Sequence, residues 1–563
     1  MGLGILEDNH LEHVPGTTLF RDDPNAVAED VYQGIDLQSL KHAKGKNSHI
    51  VLVPQPSDDP NDPLNWSRVK KHTGPIVSAD IVTMATEFDR SLQAISRALG
   101  SALVLALAFA TVVWSVLSVK LGKRPVFLAS TLLMFAGSMV ASYTKNYDML
   151  LGSRILQGIG QAVLEFLVGS SIADIYFLHE RGVPVALWNL ALLNGINITP
   201  PISGQVIIHN GWRYAFKMFS ISAGLLFILQ FFLVPETTYH RKVVPNLGGK
   251  KTGSMDKGST EKVDSEKRVE EAREDAISVP HKKTYLEELS VYNGVYPTKA
   301  SVPALLVRPF IACLTPVCLW AGLIYGVAIT WLVLIATSVA QLFSAPPYNF
   351  ETDEIGLTYM SPFICAFLAA LLCGPLTDYV AKRFSLANRG TFEPEFRLVL
   401  VSFYAVFACM GFFGWGISAH VQDPWIGPVV FFGLVNFGVT IGCSAAIGYV
   451  VDSHRQSSDS ALGGVIFWLE ARGVLNVFCI VGGVTMFTTN ALAICCRFSF
   501  IITLFINDWL EARGVLNVFC IVGGVTMFTS LLTIPMYIYG KRARSWIHRT
   551  LKFDDDELTA VAH

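Results

Sequence analysis

The chain has 563 residues, of which 52% are hydrophobic and 16% are charged, and its mean hydropathy is +0.44. A soluble domain carries about 25% charged residues, so this composition excludes an ordinary water-soluble protein. The 36 Phe and 11 Trp residues exclude a disordered chain, and a net charge of −2 gives no positive field for nucleic acid. The composition predicts an all-α membrane protein with several crossings.

The first half begins with a polar stretch, residues 1–71, which predicts a cytosolic tail. A helix needs about 20 mainly apolar residues to cross the hydrocarbon core, and Thr73–Ala85 supplies 13 before Glu87. The predicted span 1 is therefore short. Spans 2 to 6 complete a transmembrane bundle over residues 72–238, and they are predicted at 99–119, 125–144, 150–174, 184–208 and 215–235.

The second half follows a polar insert, residues 239–305, which predicts a cytosolic disordered linker. A second bundle is predicted over 306–540, and residues 541–563 are predicted to form a cytosolic tail. Residues 473–506 hold further apolar material for span 11. The remaining spans, 7 to 10 and 12, are predicted at 311–336, 355–375, 397–418, 425–448 and 512–537.

Orientation is predicted from the basic residues beside the span ends. Lys and Arg follow spans 2, 6, 8 and 12, whereas the alternate connections carry one Lys between them. Cytosolic loops are enriched in Lys and Arg. Both tails and the linker are therefore predicted on the cytosolic side, with six spans before the linker and six after it.

A perfect repeat interrupts this pattern, because Trp468–Thr488 recurs as Trp509–Thr529. Solenoid folds need at least three repeats, so two identical copies indicate a duplicated or mis-spliced exon. If both copies are present, the number of C-terminal spans is open.

Span 4 carries a polar stripe, because Arg154, Gly158, Gln161 and Glu165 fall on one helix face at 100° per residue. A charge near the bilayer centre costs at least about 2.5 kcal/mol. Such residues face a water-filled cavity or a partner and mark substrate or proton paths. A buried structural pair between helices is the alternative.

Span 5 combines small and amide side chains. Gly195, Thr199 and Ser203 recur every four residues, a spacing that permits close helix packing. Pro200-Pro201 predicts a kink. A second polar stripe contains Asn194, Asn197, Pro201 and Gln205. The pattern suits a gating helix beside a cavity, and packing alone explains the small residues equally well.

The cytosolic turn after span 8 places Asp378 before Lys382 and Arg383, and predicts a latch between neighbouring helices; simple positive-inside anchoring is the alternative. Glu393 and Glu395, before span 9, are interpreted as latch or cap residues. The chain has no HExxH motif, no Walker A motif and no CxxC pair, so neither a metal, a cofactor nor enzymatic activity is predicted.

Together these segments resemble the major facilitator superfamily, specifically its fungal 12-span drug:proton antiporters and polyamine-type relatives. SRILQGIGQAV resembles the family's span-4 motif, with its arginine at Arg154. NGINITPPISG resembles the span-5 antiporter motif, although Thr199 and Ser203 stand where glycines are usual. SVKLGKRP and GPLTDYVAKR resemble the loop motif, with Val119 replacing its aspartate and Ala381 its glycine.

The resemblance implies two six-helix bundles around a central cavity and proton-coupled efflux of a small organic solute by alternating access. On this hypothesis Arg154 and Glu165 carry proton coupling, and Glu165 favours a cationic or amine solute. The protein is expected to be a monomer in the plasma membrane, or alternatively in the vacuolar membrane. A uniporter or importer of the same fold, or a non-functional product of a mis-spliced gene, is the alternative.

The remaining candidate residues fall into three groups. The substrate-cavity group is Gln157, Gln161, Asn194 and Asn197; the packing and gating group is Gly158, Gly160, Gly195, Pro200 and Gly204; the cytosolic latch group is Gly122, Lys123, Arg124, Asp378, Lys382 and Arg383.

Overall fold

The computed structural model contains the predicted spans 2 to 10 and span 12. The short first span, the repeat copy Trp468–Thr488 and most of the linker lie outside the described residues. Those described are 3–8, 10, 14, 17–19, 41, 56, 62–66, 70–71, 93–177, 180–238, 284–291, 302–303, 305–306, 315–388, 390–453, 510 and 513–551.

The first half holds five long helices, which correspond to spans 2 to 6. They are α1 (Gln93–Leu121), α2 (Lys123–Ser142), α3 (Tyr147–Ile175), α4 (Gly182–Asn210) and α5 (Trp212–Leu233). The turn between α1 and α2 is a single residue, Gly122, with φ of +91°. Such a φ is accessible to glycine without strain. The Pro200-Pro201 pair lies inside α4, which stays helical through it.

The second half holds seven helices among the described residues. They are α6 (Pro316–Ser344), α7 (Thr352–Thr358), α8 (Met360–Ala387), α9 (Val401–Val421), α10 (Ile426–Ser453), α11 (Val515–Leu531) and α12 (Thr533–Leu551). A 3₁₀ segment, Pro394–Leu400, leads into α9. A one-turn helix, Tyr285–Glu288, lies between the halves in sequence.

Nine helices in the described part of the chain are long and apolar enough to cross a membrane. A tenth, within α1, has a shorter apolar stretch, Phe109–Leu121. Large apolar side chains such as Ile221 and Leu225 on α5, and Val406 and Met410 on α9, are exposed. They suit contact with lipid rather than water.

The inner helix of the first half is α3, which packs against both α1 and α2. Two glycines make this possible. A Cβ at Gly158 would lie 2.3 Å from the carbonyl oxygen of Leu103 in α1, and a Cβ at Gly160 would lie 2.6 Å from backbone atoms of Met134 and Ser130 in α2. In the second half, α10 has the same central place and packs on α6, α8 and α9.

The two halves meet mainly along α4, which packs against α7, α8 and α10 of the second half. At one end of this interface, α7 approaches the proline pair: a Cβ on Gly356 would lie 3.2 Å from the carbonyl oxygen of Pro200. The contact between α3 and α10 is smaller. A single helix thus carries most of the described contact between the halves.

The predicted cytosolic face is covered by segments from both ends of the chain. The all-α prediction is correct apart from two short strands, β1 (Thr18–Leu19) and β2 (Thr391–Phe392), which pair antiparallel. The C-terminal helix α12 packs on the 3₁₀ segment before α9. The N-terminal tail, the turn between α8 and α9, and the C-terminal helix therefore lie together.

Candidate functional site

The polar stripe of α3 divides into two environments. At the predicted outer end Arg154 is buried, and its guanidinium carbon lies 4.8 Å from the ring centre of Phe216 on α5. Its Nη1 donates to Oε1 of Gln157 at 3.2 Å, and Gln157 Nε2 donates to Oγ of Ser138 on α2 at 3.1 Å. Arg154 and Gln157 therefore lie within the first half, among α2, α3 and α5.

Glu165 lies further along the same helix, toward the predicted cytosolic end. Eleven residues at 1.5 Å each separate it from Arg154 by about 16 Å, so the two do not pair. Its Oε1 accepts a hydrogen bond from Nε2 of Gln161 at 3.0 Å, and the side chain is half-buried. Among the described residues no Lys, Arg or His forms an ion pair with Glu165.

The amide stripe of α4 faces the second half. Asn197 Nδ2 donates to Oδ1 of Asn436 on α10 at 3.1 Å. Asn194 is buried, and its Oδ1 has no hydrogen-bond partner in the described part of the structure. A buried acceptor without a partner is rare in folded proteins and points to a ligand or water.

Another α4 amide, which the sequence analysis did not single out, makes a similar contact. Nδ2 of Asn189 donates to the carbonyl oxygen of Thr440 at 3.0 Å and to Oγ of Ser444 at 2.9 Å, both on α10. Its Oδ1 also has no partner among the described residues. Its position on the same helix as Asn197, eight residues earlier, was the available sequence signal.

The packing residues predicted on α4 have simpler surroundings. Gly195 is buried, and its carbonyl oxygen accepts a hydrogen bond from Oγ1 of Thr199 at 2.7 Å. Gly204 lies within α4, one turn beyond the proline pair. The small residues therefore fall in the helix that joins the halves.

The predicted cytosolic end of the interface holds a buried ion cluster that the sequence did not predict. Asp452, at the end of α10, accepts hydrogen bonds from Nη1 of Arg181 at 3.2 Å and from Nε of Arg397 at 2.5 Å. All three side chains are about 1% exposed. Since Arg181 belongs to the first half and the other two to the second, this cluster joins the halves.

Arg181 is also held by its own half. Its Nε and Nη2 donate to the carbonyl oxygens of Tyr176 and Ala173 at 3.1 and 2.7 Å. The guanidinium therefore bridges the end of α3 and the end of α10. The sequence analysis did not single out Arg181, which lies in the HERG sequence at 179–182, directly before α4.

Asp378, predicted to bind Lys382 and Arg383, has another partner. Its Oδ1 accepts a hydrogen bond from the backbone N–H of Gly182, the first residue of α4, at 3.0 Å. Neither basic residue forms an ion pair with it in the described part of the chain. A carboxylate at a helix N-terminus interacts favourably with the helix dipole. Because Gly182 belongs to the first half and Asp378 to the second, this hydrogen bond joins the halves.

The latch residues predicted on the first half make contacts within that half. Lys123 Nζ lies 2.7 Å from Oδ2 of Asp174. The backbone N–H groups of Lys123 and Arg124 donate to Glu236 at 3.0 and 3.1 Å, and Arg124 Nη2 donates to the carbonyl oxygen of Phe231 at 2.8 Å. The pair of Lys123 and Asp174 parallels that of Arg397 and Asp452 in the second half.

The major facilitator superfamily model matches residues 73–469. The chain belongs to the major facilitator superfamily. It is a multi-pass membrane protein and a transporter of some solute, and it has the two-bundle fold of this family.

Several fungal relatives resemble this superfamily member along most of their length. An uncharacterised MFS-type transporter of Schizosaccharomyces pombe is 26% identical, over 81% of this chain and 84% of its own. Protein HOL1 of Saccharomyces cerevisiae is 23% identical, over 96% and 97% respectively. The efflux pump radE of Floropilus chiversii is 24% identical, over 72% and 73%.

Proposed function

We propose that this transporter exports a small cationic or amine solute in exchange for protons, by alternating access. The observation that carries the proposal is Glu165, a half-buried carboxylate in a membrane helix that accepts one hydrogen bond from the neutral amide of Gln161. Its anion has no counter-ion among the described residues. A proton or a cationic solute would each neutralise it, and competition between the two couples their movements.

The remaining stripe residues would bind and orient the solute. The unpartnered amide oxygen of Asn194 supplies an acceptor for an ammonium group, while Gln161 on α3 and Asn197 on α4 supply further amide groups. Arg154 gives a fixed positive charge toward the outer end of α3. Gln157 holds that charge through its hydrogen bond.

The contacts between the halves would act as the gate on the cytosolic side. The Arg181–Asp452–Arg397 cluster and the cap of Asp378 on α4 both bridge the halves. They would have to separate before the solute site opens to the cytosol. Gly122, Lys382 and Arg383 lie at the same end and would anchor the loops there. Export is supported by the efflux pump among the relatives.

Uptake by proteoliposomes with an acidic interior tests the proposal, with spermidine or ethidium as the probe. We expect outward proton flow to drive uptake of at least one of these cations above the level in protein-free liposomes. Glu165→Gln should abolish this dependence on the pH gradient. Asp148→Asn, an exposed carboxylate in the first turn of the same helix, is the matched control and should retain it.

Two results would contradict the proposal. Gradient-driven uptake by the Glu165→Gln variant would show that the Glu165 carboxylate is not required for proton coupling. Equal uptake by the unmodified protein with and without the gradient would indicate a uniporter instead.

A further inference from the structure

The N-terminal segment of the chain binds the cytosolic surface of the second half, although it precedes the first half in sequence. The described residues of this segment, 3–8, 10, 14 and 17–19, are called the N-terminal clasp. Its backbone is held at two points: the N–H of Leu6 donates to the carbonyl oxygen of Ile538 at 3.0 Å, and Thr18–Leu19 pairs with Thr391–Phe392.

One apolar side chain anchors the clasp. Ile5 is 5% exposed and packs in a small cluster with Ala381, Phe392 and Phe396, which are each at most 2% exposed. This cluster is separate from the main core of the bundle. Burial of an isoleucine side chain favours binding through the hydrophobic effect. Ile5 therefore acts as the buried anchor residue of a bound peptide does.

Charged and hydroxyl groups set the register of the clasp on α12. Glu7 lies 2.6 Å from Nζ of Lys541, and its carbonyl oxygen accepts from Nε of Arg542 at 3.0 Å. Asp8 accepts from Oγ of Ser545 at 2.5 Å. The two acidic residues of the clasp thus meet basic and donor groups spaced along a single helix, as in recognition of an acidic peptide.

A second polar contact joins the clasp to a buried charge cluster. Thr17 Oγ1 donates to Oε2 of Glu393 at 2.7 Å, and Glu393 lies 2.9 Å from Arg544 and 2.8 Å from Lys541. Burial raises the pKa of Glu393, but Arg544 and Lys541 lower it by more, so this pKa lies below its ordinary value. The carboxylate that receives Thr17 is therefore ionised at neutral pH.

The clasp and the gate use the same short turn. Four residues after Glu393, Arg397 donates to Asp452, which in turn binds Arg181 of the first half. Glu395, between them, is fixed by Arg544 at 2.8 Å. Glu393 is the N-cap of the 3₁₀ segment that carries Glu395 and Arg397. A ligand that binds Glu393 and orders the segment therefore also holds Arg397 in place.

We propose that the surface formed by α12, β2 and the Ile5 pocket is a peptide-binding site whose ligand is the N-terminal clasp, and that its occupancy stabilises the cytosol-closed state. A ligand shifts a two-state equilibrium only when it binds one state better. Here the preference arises because the clasp fixes the turn that carries Arg397. The effect on opening rests on alternating access; the binding itself does not.

Spin–spin distances in the full-length chain test the effect on opening. Labels go on Lys120→Cys in the first half and Ala387→Cys in the second, both at cytosolic helix ends, after the ten native cysteines are replaced. Ile5→Asp should raise the fraction of long distances several-fold. Val291→Asp is the matched control, because Val291 is exposed and lies outside the clasp, and it should leave the distribution unchanged.

Binding in trans tests the site itself. A labelled peptide of residues 1–19 is added to the full-length Ile5→Asp chain, whose own clasp is weakened. It should bind saturably and restore the short distances, and the Ile5→Asp peptide should bind at least tenfold more weakly. Equal binding of the two peptides overturns the site, and binding without any change in distance overturns its effect on opening.

The outcome is also separable from the transport proposal. If Glu165→Gln abolishes proton coupling while Ile5→Asp leaves the distances unchanged, the transport proposal is supported and the clasp proposal is contradicted. If Ile5→Asp shifts the distances in a protein that shows no proton coupling, the clasp proposal is supported and the transport proposal is contradicted.

Discussion

At the scale of single residues, the contact between the halves depends most on Asp452, a carboxylate between two buried guanidinium groups. Each arginine has a hydrogen bond to a different oxygen, Arg181 to Oδ1 and Arg397 to Oδ2. Charges removed from water are tolerated only where they are paired and hydrogen-bonded. The arrangement is therefore sensitive to loss of its single negative charge.

We predict that Asp452→Asn destabilises the protein by about 3–5 kcal/mol, because it leaves buried positive charge uncompensated. Arg181→Gln added to Asp452→Asn should recover part of this loss, since it removes one of the two cations. The free energy of unfolding, from titration with sodium dodecyl sulfate, is the measurement. Losses that simply add up in the double variant would show that the two side chains are not coupled.

The polar residues illustrate what sequence alone could not supply. Periodicity placed Arg154 and Glu165 on one face of one helix, and both lie on α3. Their partners come from other helices: Phe216 stacks on Arg154, and Asn436 faces Asn197. A stripe defines a helix face, but tertiary packing decides what the face meets.

At the scale of elements, α3 is held between two neighbours by glycines on different faces. Gly158 approaches α1 and Gly160 approaches α2, and in both places a Cβ would lie under 3 Å from backbone atoms. Backbone atoms move less readily than side chains, so a methyl group added at either glycine would force the helices apart.

Substitution of these glycines should separate the two close contacts from open helix surface. Gly158→Ala and Gly160→Ala should each lower the free energy of unfolding by about 1–3 kcal/mol. Gly152→Ala on the same helix meets nothing within 4 Å, so it should be neutral or gain up to about 1 kcal/mol. Melting temperatures in detergent would check this, and an equal loss at all three positions would contradict it.

Hydropathy predicted the elements well, and for a physical reason. A membrane helix must be apolar over its whole length, so spans 2 to 10 and 12 coincide with observed helices within a few residues at most ends. The pairing of a two-residue strand from the N-terminal tail with the turn before α9 had no such signal. Contacts between residues hundreds of positions apart depend on how the helices pack together, which local hydropathy does not encode.

At the scale of the whole molecule, the second copy of the sequence repeat occupies a defined place in the fold. The second copy, Trp509–Thr529, supplies most of α11, which packs on α9 through Phe519 and Gly416. The first copy lies outside the described residues. The two copies are identical in sequence, but only the second leads directly into α12.

Deletion of Trp468–Thr488 should therefore preserve the folded protein, since the remaining copy keeps the α9 contact. Deletion of Trp509–Thr529 removes the helix that leads directly into α12 and should lower the yield of monodisperse protein by tenfold or more. Size-exclusion chromatography of fluorescent fusions compares the two. Similar yields from both deletions would mean that the first copy can replace the second.

The strand pair and the contacts of Leu6 and Glu7 with α12 also constrain topology. Two segments that touch in water must lie on the same side of the bilayer, whatever path joins them. Leu6 and Glu7 therefore share one compartment with the C-terminal part of α12. An epitope at either terminus should be protected from, or exposed to, external antibody together with the other.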